Sequence, residues 1–205
     1  RLLSYSQNAR ILLLIIFSLY FYYKASGVFV LLLILIAVIN FHLGKLIFEH
    51  LDQSKKRIYL LLSLLFNLGV LISFKYSNLY VELVSRITHN SADLIVMLLP
   101  IGLSFYTFKS LSYIIDIYYE NIKPINSIRD FSLYVFFFAN ILAGPIDRAK
   151  KFLPQINQEY KLSNKKIATG LFLIMMGLVK KIMIADYISL NFIDRVFEAP
   201  LRFSG

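Results

Sequence analysis

Three groups of residues carry chemistry that the rest of this chain does not. Tyr106, Lys109, Tyr113 and Asp116 recur at helical spacing within the apolar run from Leu99 to Asp116. At about 100° per residue they share one narrow stripe with Gly102, whereas Leu103, Phe105, Leu111 and Ile114 fall mostly elsewhere. The second group is the turn Gly144-Pro145-Ile146-Asp147-Arg148, and the third is Lys180, Lys181 and Asp186 near the end of the last apolar block. Charged groups are costly in hydrocarbon, so these residues must face protein or water-filled space. Two readings remain open for the stripe: a polar network that holds helices together, or one wall of a substrate or donor passage. For the turn, the alternatives are the structural end of a half-helix, with Asp147 and Arg148 paired locally, and the mouth of a cavity. Lys109 and Asp116 lie two turns apart, about 10 Å along the axis, so each needs a partner from another helix or from water.

Other chemistries find no foothold in the sequence. The 3 histidines, His42, His50 and His89, lack the spacing of a metal site, and no Gly-rich phosphate loop, nucleophile elbow or His-Glu-x-x-His occurs. Cysteine is absent, which removes disulfides, thiolate metal sites and a thiol nucleophile from these residues. No catalytic residue and no metal ligand is assigned within this chain.

The elements that must position the three groups belong to a membrane. The 205 residues are 58% hydrophobic and 17% charged, with a mean hydropathy of +0.66, and the apolar residues fall in long blocks. This predicts an all-α, polytopic membrane protein and a single membrane domain over residues 1–205. A net charge of +10 would point to nucleic acid in a soluble protein. Here the Lys and Arg residues lie between apolar blocks, so topology accounts for them and no nucleic-acid partner is expected; the lipid bilayer is the expected surroundings. With no Trp, the 14 Tyr residues must supply the interfacial belt.

In chain order, a first block runs from Ala9 to Tyr23 and ends in Tyr20, Tyr22 and Tyr23 beside Lys24; no small-residue cleavage site follows it, so it is not a signal peptide. After Ala25-Ser26-Gly27 comes a second block, Val28 to Phe48, whose Asn40 and His42 are expected to satisfy hydrogen bonds between packed helices. Lys55-Lys56-Arg57, in a loop from Glu49 to Arg57, marks the cytoplasmic side. The third block, Ile58 to Phe74, carries Asn67 and Gly69, read as sites of close helix packing. Lys75 to Asp93 fits an outside loop with an interfacial helix at Leu79 to Ile87. The fourth block, Leu94 to Tyr118, holds the polar stripe; Pro100 is expected to kink it and Gly102 to admit a close neighbour.

A fifth block, Phe131 to Ile146, raises a question of parity. A full crossing would put the basic segment from Arg148 to Lys166 outside, against the positive-inside rule, so a re-entrant helix ending at Ala143-Gly144-Pro145 is favoured. The last block begins at Ile167 and is interrupted at Lys180-Lys181; either both lysines snorkel to an interface or one turns inward towards Asp186. A start at Arg1 and an end at Arg202-Phe203-Ser204-Gly205 predict a piece of a longer protein.

The wording of several segments adds to this. Leu99-Pro-Ile-Gly-Leu-Ser-Phe-Tyr-Thr-Phe-Lys-Ser-Leu-Ser-Tyr-Ile-Ile-Asp-Ile-Tyr118, Leu142-Ala-Gly-Pro-Ile-Asp-Arg-Ala-Lys-Lys-Phe-Leu-Pro-Gln-Ile156, Gly177 to Asp186 and Asn67 to Tyr76 together resemble the membrane-bound O-acyltransferase family, most closely its bacterial alginate O-acetyltransferase branch. The resemblance is collinear over nearly the whole chain. It implies a multi-helix enzyme with a central funnel, in which an acyl group from a cytoplasmic donor such as acetyl-CoA reaches an exported polysaccharide or cell-wall polymer, directly or through an extracytoplasmic partner protein. It places the protein in the bacterial inner membrane. It also implies a membrane-embedded catalytic histidine downstream of the Gly-Pro motif, and none of His42, His50 and His89 matches that position. The catalytic half is therefore expected beyond Gly205. With coenzyme A as donor, Lys109, Arg148, Lys180 or Lys181 would attract its phosphates. Asp116-Ile-Tyr-Tyr119 leans towards the acetyl branch. A transporter or export-channel subunit is the competing function, since broken helices and intramembrane charges also mark transport pathways; a scaffold that docks a secreted partner is a third.

Overall fold

The computed structural model describes residues 7–77, 99–142, 144–156, 158 and 163–198. The described chain is helical, with no strand among these residues. It divides into two units, residues 1–158 and 159–205. The expected interfacial helix at Leu79 to Ile87 and His89 lie outside the described residues.

In the first unit, α1 (Gln7–Ser26) and α2 (Val30–Glu49) are separated by a short tight turn of helix at Gly27–Phe29. Gly27 has φ +58°, a conformation that glycine adopts without strain. Each helix has 20 residues, a length of about 30 Å that matches a bilayer core. α3 (Gln53–Lys75) is longer than the apolar block that predicted it. Lys55-Lys56-Arg57 therefore lies in its opening turns and not in a loop. Cations there oppose the helix dipole, and two carboxylates offset this. Asp52 caps the helix by accepting from the Ser54 backbone N–H at 2.9 Å, and Glu120 pairs with Lys56 at 2.8 Å.

Three helical runs, Gln7–Glu49, Gln53–Lys75 and Asn164–Glu198, are long and apolar enough to cross a membrane. Their burial pattern is inverted relative to a water-soluble protein. On α3 the buried positions are Ser63, Asn67 and Leu71, while Leu61, Leu62, Leu65 and Ile72 are exposed. On α2, Leu31, Leu35 and Val38 form an uncovered stripe opposite Leu33, Ile36, Ala37 and Asn40. Apolar surface outside and polar groups inside is the arrangement that a hydrocarbon solvent selects.

α2 and α3 are joined by a closed amide cluster. Asn40 and Asn67 exchange side-chain hydrogen bonds, Asn40 Nδ2 to Asn67 Oδ1 at 3.1 Å and Asn67 Nδ2 to Asn40 Oδ1 at 2.8 Å, and Ser63 Oγ donates to Asn40 Oδ1 at 2.9 Å. The expected role of Asn40 and Asn67 holds. His42 does not share it: it lies on the exposed side of α2, against the ring of Phe41. Gly69 is likewise exposed, with open space where a Cβ would stand. The close approach occurs at Gly44, where a Cβ would meet Tyr113 at 2.9 Å and Ile117 at 3.0 Å.

α4 (Leu103–Tyr118) packs against α2 and α3. Pro100 does not kink it, because the helix starts after Pro100 and Gly102. Gly102, with φ +75°, opens the helix and presses against the Ile141 carbonyl, leaving no room for a Cβ. At its other end α4 closes in a Schellman turn: Asn121 N–H reaches Asp116 C=O at 2.8 Å, and Glu120 N–H reaches Ile117 C=O at 2.9 Å. Glu120 takes the left-handed conformation there, with φ +59°.

The fifth apolar block is broken. α5 (Ile128–Phe136) and α6 (Phe138–Ile141) are interrupted at Phe137, whose ψ of 113° leaves the helical region. At 9 residues, α5 extends about 14 Å, too short to cross a bilayer. The Phe138 N–H freed by the break donates to Ser18 Oγ of α1 at 3.2 Å. α7 (Ala149–Ile156) follows, and Arg10 Nη2 donates to its last carbonyl, Ile156, at 3.0 Å.

In the second unit, α8 (Asn164–Val179) starts on a Ser163 cap and does not stop at the lysines. It continues through wider, π-type turns at Lys180–Asp186 and Ser189–Ile193 to end at Glu198. The interruption expected at Lys180-Lys181 is thus a change of helical pitch rather than a break, and it yields a run of 35 residues.

Replacing either Asn40 or Asn67 by Leu should destabilise the protein by about 1–2 kcal/mol in reversible unfolding from detergent, because the remaining amide loses its partner across the helix pair and keeps only its bonds to its own helix or to Ser63. The double replacement should cost less than the sum of the two. The Lys56 hydrogen bond, and then its charge, hold the exposed Glu120 carboxyl below its usual pKa. The pair therefore stabilises the fold above the unfolded carboxylate value of about 4.3 and loses that effect as pH falls through the lower, folded value. E120Q should be less stable than the parent at pH 7, with the gap closing below about pH 4 and narrowing in high salt.

Candidate functional site

The stripe predicted on α4 is the buried side of that helix. Tyr106, Lys109, Tyr113 and Asp116 are 1%, 4%, 0% and 7% exposed. Each meets a different neighbour. Tyr106 Oη lies 3.4 Å from Tyr22 Oη of α1, which donates to it. Tyr113 packs its ring 4.6 Å from Phe131 of α5, and its hydroxyl accepts from the Ile125 N–H at 3.0 Å. Asp116 accepts from the Asn121 side chain at 3.3 Å. Thr107 and Ser110, on the other edge of the buried arc, have hydroxyls without a hydrogen-bond partner among the described residues.

Lys109 is the unusual member. Its Nζ is buried and makes no hydrogen bond among the described residues. Two aromatic faces shelter it instead, Tyr134 of α5 at 4.7 Å and Phe152 of α7 at 5.1 Å from the ring centroids. Cation–π attraction of this kind strengthens when the cation is desolvated. The Asp147 carboxylate supplies the opposing charge. No ion-pair contact within 4 Å joins them among the described residues, so their attraction acts across a gap.

The Gly144–Arg148 turn thus meets the stripe at Asp147. Asn140 Nδ2 donates to Asp147 Oδ2 at 2.6 Å, and Tyr134 Oη reaches the Asp147 carbonyl at 3.0 Å. The same Tyr134 hydroxyl lies 3.2 Å from the Lys109 carbonyl, and Ser112 Oγ is 3.4 Å away. Gly144 packs against Asn140 with no room for a Cβ. Arg148 does not pair locally with Asp147. Its side chain is exposed, and its carbonyl begins α7 by accepting from Lys151 N–H at 3.0 Å and Phe152 N–H at 3.1 Å. Pro145 and Ile146 are exposed as well.

In the second unit, Lys181 pairs with Asp186 at 2.9 Å, with both side chains partly exposed. The contact with Asp186 forms on an exposed face, so neither lysine points into the protein of this unit. Lys180 is exposed.

Sequence reasoning found the stripe and the turn but missed what joins them. Tyr134, Asn140 and Phe152 are separated from Lys109 by 25 or more positions, and the first and last are aromatic residues in segments rich in them. One weak signal existed: Tyr134 is the one tyrosine in Phe131–Phe138, on the face of α5 that also carries Phe131. No group of His, Asp and Glu among the described residues is arranged to hold a metal ion.

An all-helical fold with three runs long and apolar enough to cross a membrane, an enclosed lysine and a broken helix defines an integral membrane protein. The chain is 36% identical to Probable alginate O-acetylase AlgI of Pseudomonas aeruginosa over 185 residues, which cover 88% of this chain and 35% of that protein. It is 28% identical to the Peptidoglycan O-acetyltransferase of Helicobacter pylori over 218 residues, covering 93% of this chain and 41% of that protein. A further relative, Probable alginate O-acetylase AlgI of Azotobacter vinelandii, is 38% identical over 138 residues, 65% of this chain and 27% of its own length. The resemblance to the membrane-bound O-acyltransferase family, and to its alginate O-acetylases in particular, is thus carried by several relatives. It spans roughly a third to two fifths of the first two relatives' length. No family model and no solved structure matches it.

Tyr134→Phe removes only the hydroxyl that bridges α4 and the turn. It should destabilise the protein by about 1 kcal/mol and speed amide hydrogen exchange at residues 144–148 more than within α2, as read by mass spectrometry.

Proposed function

We propose that this chain is the N-terminal part of an integral membrane O-acyltransferase of the bacterial inner membrane. It transfers an acyl group, acetyl in this reading, from a cytoplasmic donor to hydroxyls of an exported polysaccharide or cell-wall polymer. The observation that carries the proposal is the 36% identity to an alginate O-acetylase across 88% of the chain. The buried Tyr106–Asp116 stripe and the broken α5–α6 segment support it, since a polar donor entering a membrane needs a polar wall and a non-helical stretch shielded from lipid.

Acetyl-CoA is the donor in this reading. The acceptor hydroxyl oxygen bonds to the thioester carbonyl carbon, the C–S bond breaks, and the thiolate leaves to take up a proton. A histidine beyond this chain takes the hydroxyl proton. The polymer receives the acetyl group directly or through an extracytoplasmic partner protein. Residues of this chain bind and guide. Arg148, exposed at the end of the turn, and Lys180 and Lys181 in the second unit are suited to the donor's phosphates. Lys109 is enclosed, and its role is separate.

Deleting the full-length gene should remove most ester-linked acetate from the exported or cell-wall polymer, measured after mild alkaline release. Unchanged acetate would reject the reading. In proteoliposomes carrying the full-length protein, R148A and K180A/K181A should raise the KM for acetyl-CoA roughly tenfold at low salt, with the difference shrinking as ionic strength rises.

A further inference from the structure

We propose that Lys109 is a positioning residue: its aromatic-sheltered ammonium and the Asp147 carboxylate form a charge lock that fixes the Gly144–Arg148 turn and so aims Arg148. Five observations converge on the same few atoms. Lys109 Nζ is buried with no hydrogen-bond partner among the described residues, so it is spent neither on an ion-pair contact nor on a carbonyl. Its two aromatic walls come from different elements, Tyr134 of α5 and Phe152 of α7, which lie on either side of the turn in sequence. Asp147 is brought beside it, since the Tyr134 hydroxyl touches both the Lys109 carbonyl at 3.2 Å and the Asp147 carbonyl at 3.0 Å. That carboxylate is itself oriented by Asn140, and the adjoining carbonyl is held by Tyr134. Within the turn the Gly144 N–H reaches the Asn140 carbonyl at 3.1 Å and the Asp147 N–H the Pro145 carbonyl at 2.9 Å, while Pro145, Ile146 and Arg148 are exposed.

The physics favours a lock over a binding role for this lysine. An ammonium enclosed by protein attracts a nearby carboxylate far more strongly than an exposed one does, because water does not screen it. Removing one member leaves the other as an uncompensated charge and costs more than removing both. A contact to an incoming anion would instead place the cation at the surface, where Arg148 stands. The turn also has no helix ladder to hold it, so side-chain anchors must supply its order.

The test uses the full-length protein in nanodiscs, with a spin label at Ile146→Cys on the exposed side of the turn. This chain contributes no competing cysteine, and any elsewhere are replaced. The label should be strongly immobilised in the otherwise unchanged protein and mobile in K109M. It should stay immobilised in K109R, which keeps both the charge and the capacity to stack. K109M/D147N should leave the label about as mobile as K109M alone, because either change opens the same lock. F152L, which takes away one aromatic wall and leaves both charges, should give an intermediate spectrum and remains informative if K109M does not fold. A label as immobile in K109M and F152L as in the parent would overturn the proposal, as would a double variant clearly more mobile than K109M alone.

The consequence for the donor rests on the acyl-transfer reading. K109M should raise the KM for acetyl-CoA at least fivefold with kcat within twofold, and K109R should restore it. If the full-length protein makes no use of acetyl-CoA while the label responds as stated, the acyl-transfer reading falls and the lock stands. If the protein turns over acetyl-CoA but the label does not respond, the reverse holds.

Discussion

A lysine ammonium enclosed by protein, with no hydrogen-bond acceptor among the described residues, is the condition around which the core of the first unit is arranged. Taking such a charge out of water costs several kcal/mol, and the surrounding structure must return most of it. It does so with two ring faces and one carboxylate drawn from separate stretches of chain. Those stretches are thereby obliged to meet. α5 brings Tyr134, the turn brings Asp147, and α7 brings Phe152, each to the same side of α4. The close approach of α2 at Gly44 and the pressure of Gly102 on the Ile141 carbonyl fit α4 into that space.

Much of this could be read from the residues, and the reasons are specific. Periodicity located the stripe because Tyr106, Lys109, Tyr113 and Asp116 are polar residues in an apolar setting, where each is conspicuous. Helix positions were legible for the same reason: a hydrocarbon solvent demands long uninterrupted apolar runs. The fifth block was read as a re-entrant helix from its length and from the charge that follows it, while its break at Phe137 was not foreseen. Asn40 and Asn67 were recognisable as interhelical glue, although nothing in the sequence said that they would bond to each other.

What stayed hidden was mostly a matter of partners. Glycine in an apolar helix signals close packing in general, but Gly44 touches a neighbour and Gly69 does not, and only the placement of α4 distinguishes them. His42 was indistinguishable from a packed polar residue until α2 acquired an inside and an outside. Pro100 reads as a kink when the helix is assumed to run through it; the glycine that follows ends that possibility by adopting a left-handed conformation. The aromatic shelter of Lys109 was invisible because a Phe or a Tyr in a protein this rich in them carries no information by its type alone. At Lys180-Lys181, charge in an apolar run suggested an end, yet a helix can absorb the insertion of polar residues by widening its turns.

The bond between Ser18 and the Phe138 N–H has a bearing on how the protein is made. During synthesis the first helix emerges long before the segment that will need it, separated by 120 positions. A hydroxyl left unpaired in lipid for that interval would be a liability. Ser18 avoids it by donating to the Leu14 carbonyl of its own helix at 2.7 Å, which keeps its oxygen available as an acceptor. The nascent chain can therefore insert its first helix complete and self-satisfied, and the later break in α5–α6 finds a ready acceptor when it arrives. The order of translation and the order in which backbone groups must be satisfied coincide, so the irregular segment is tolerable only to a membrane that already holds the N-terminal helix.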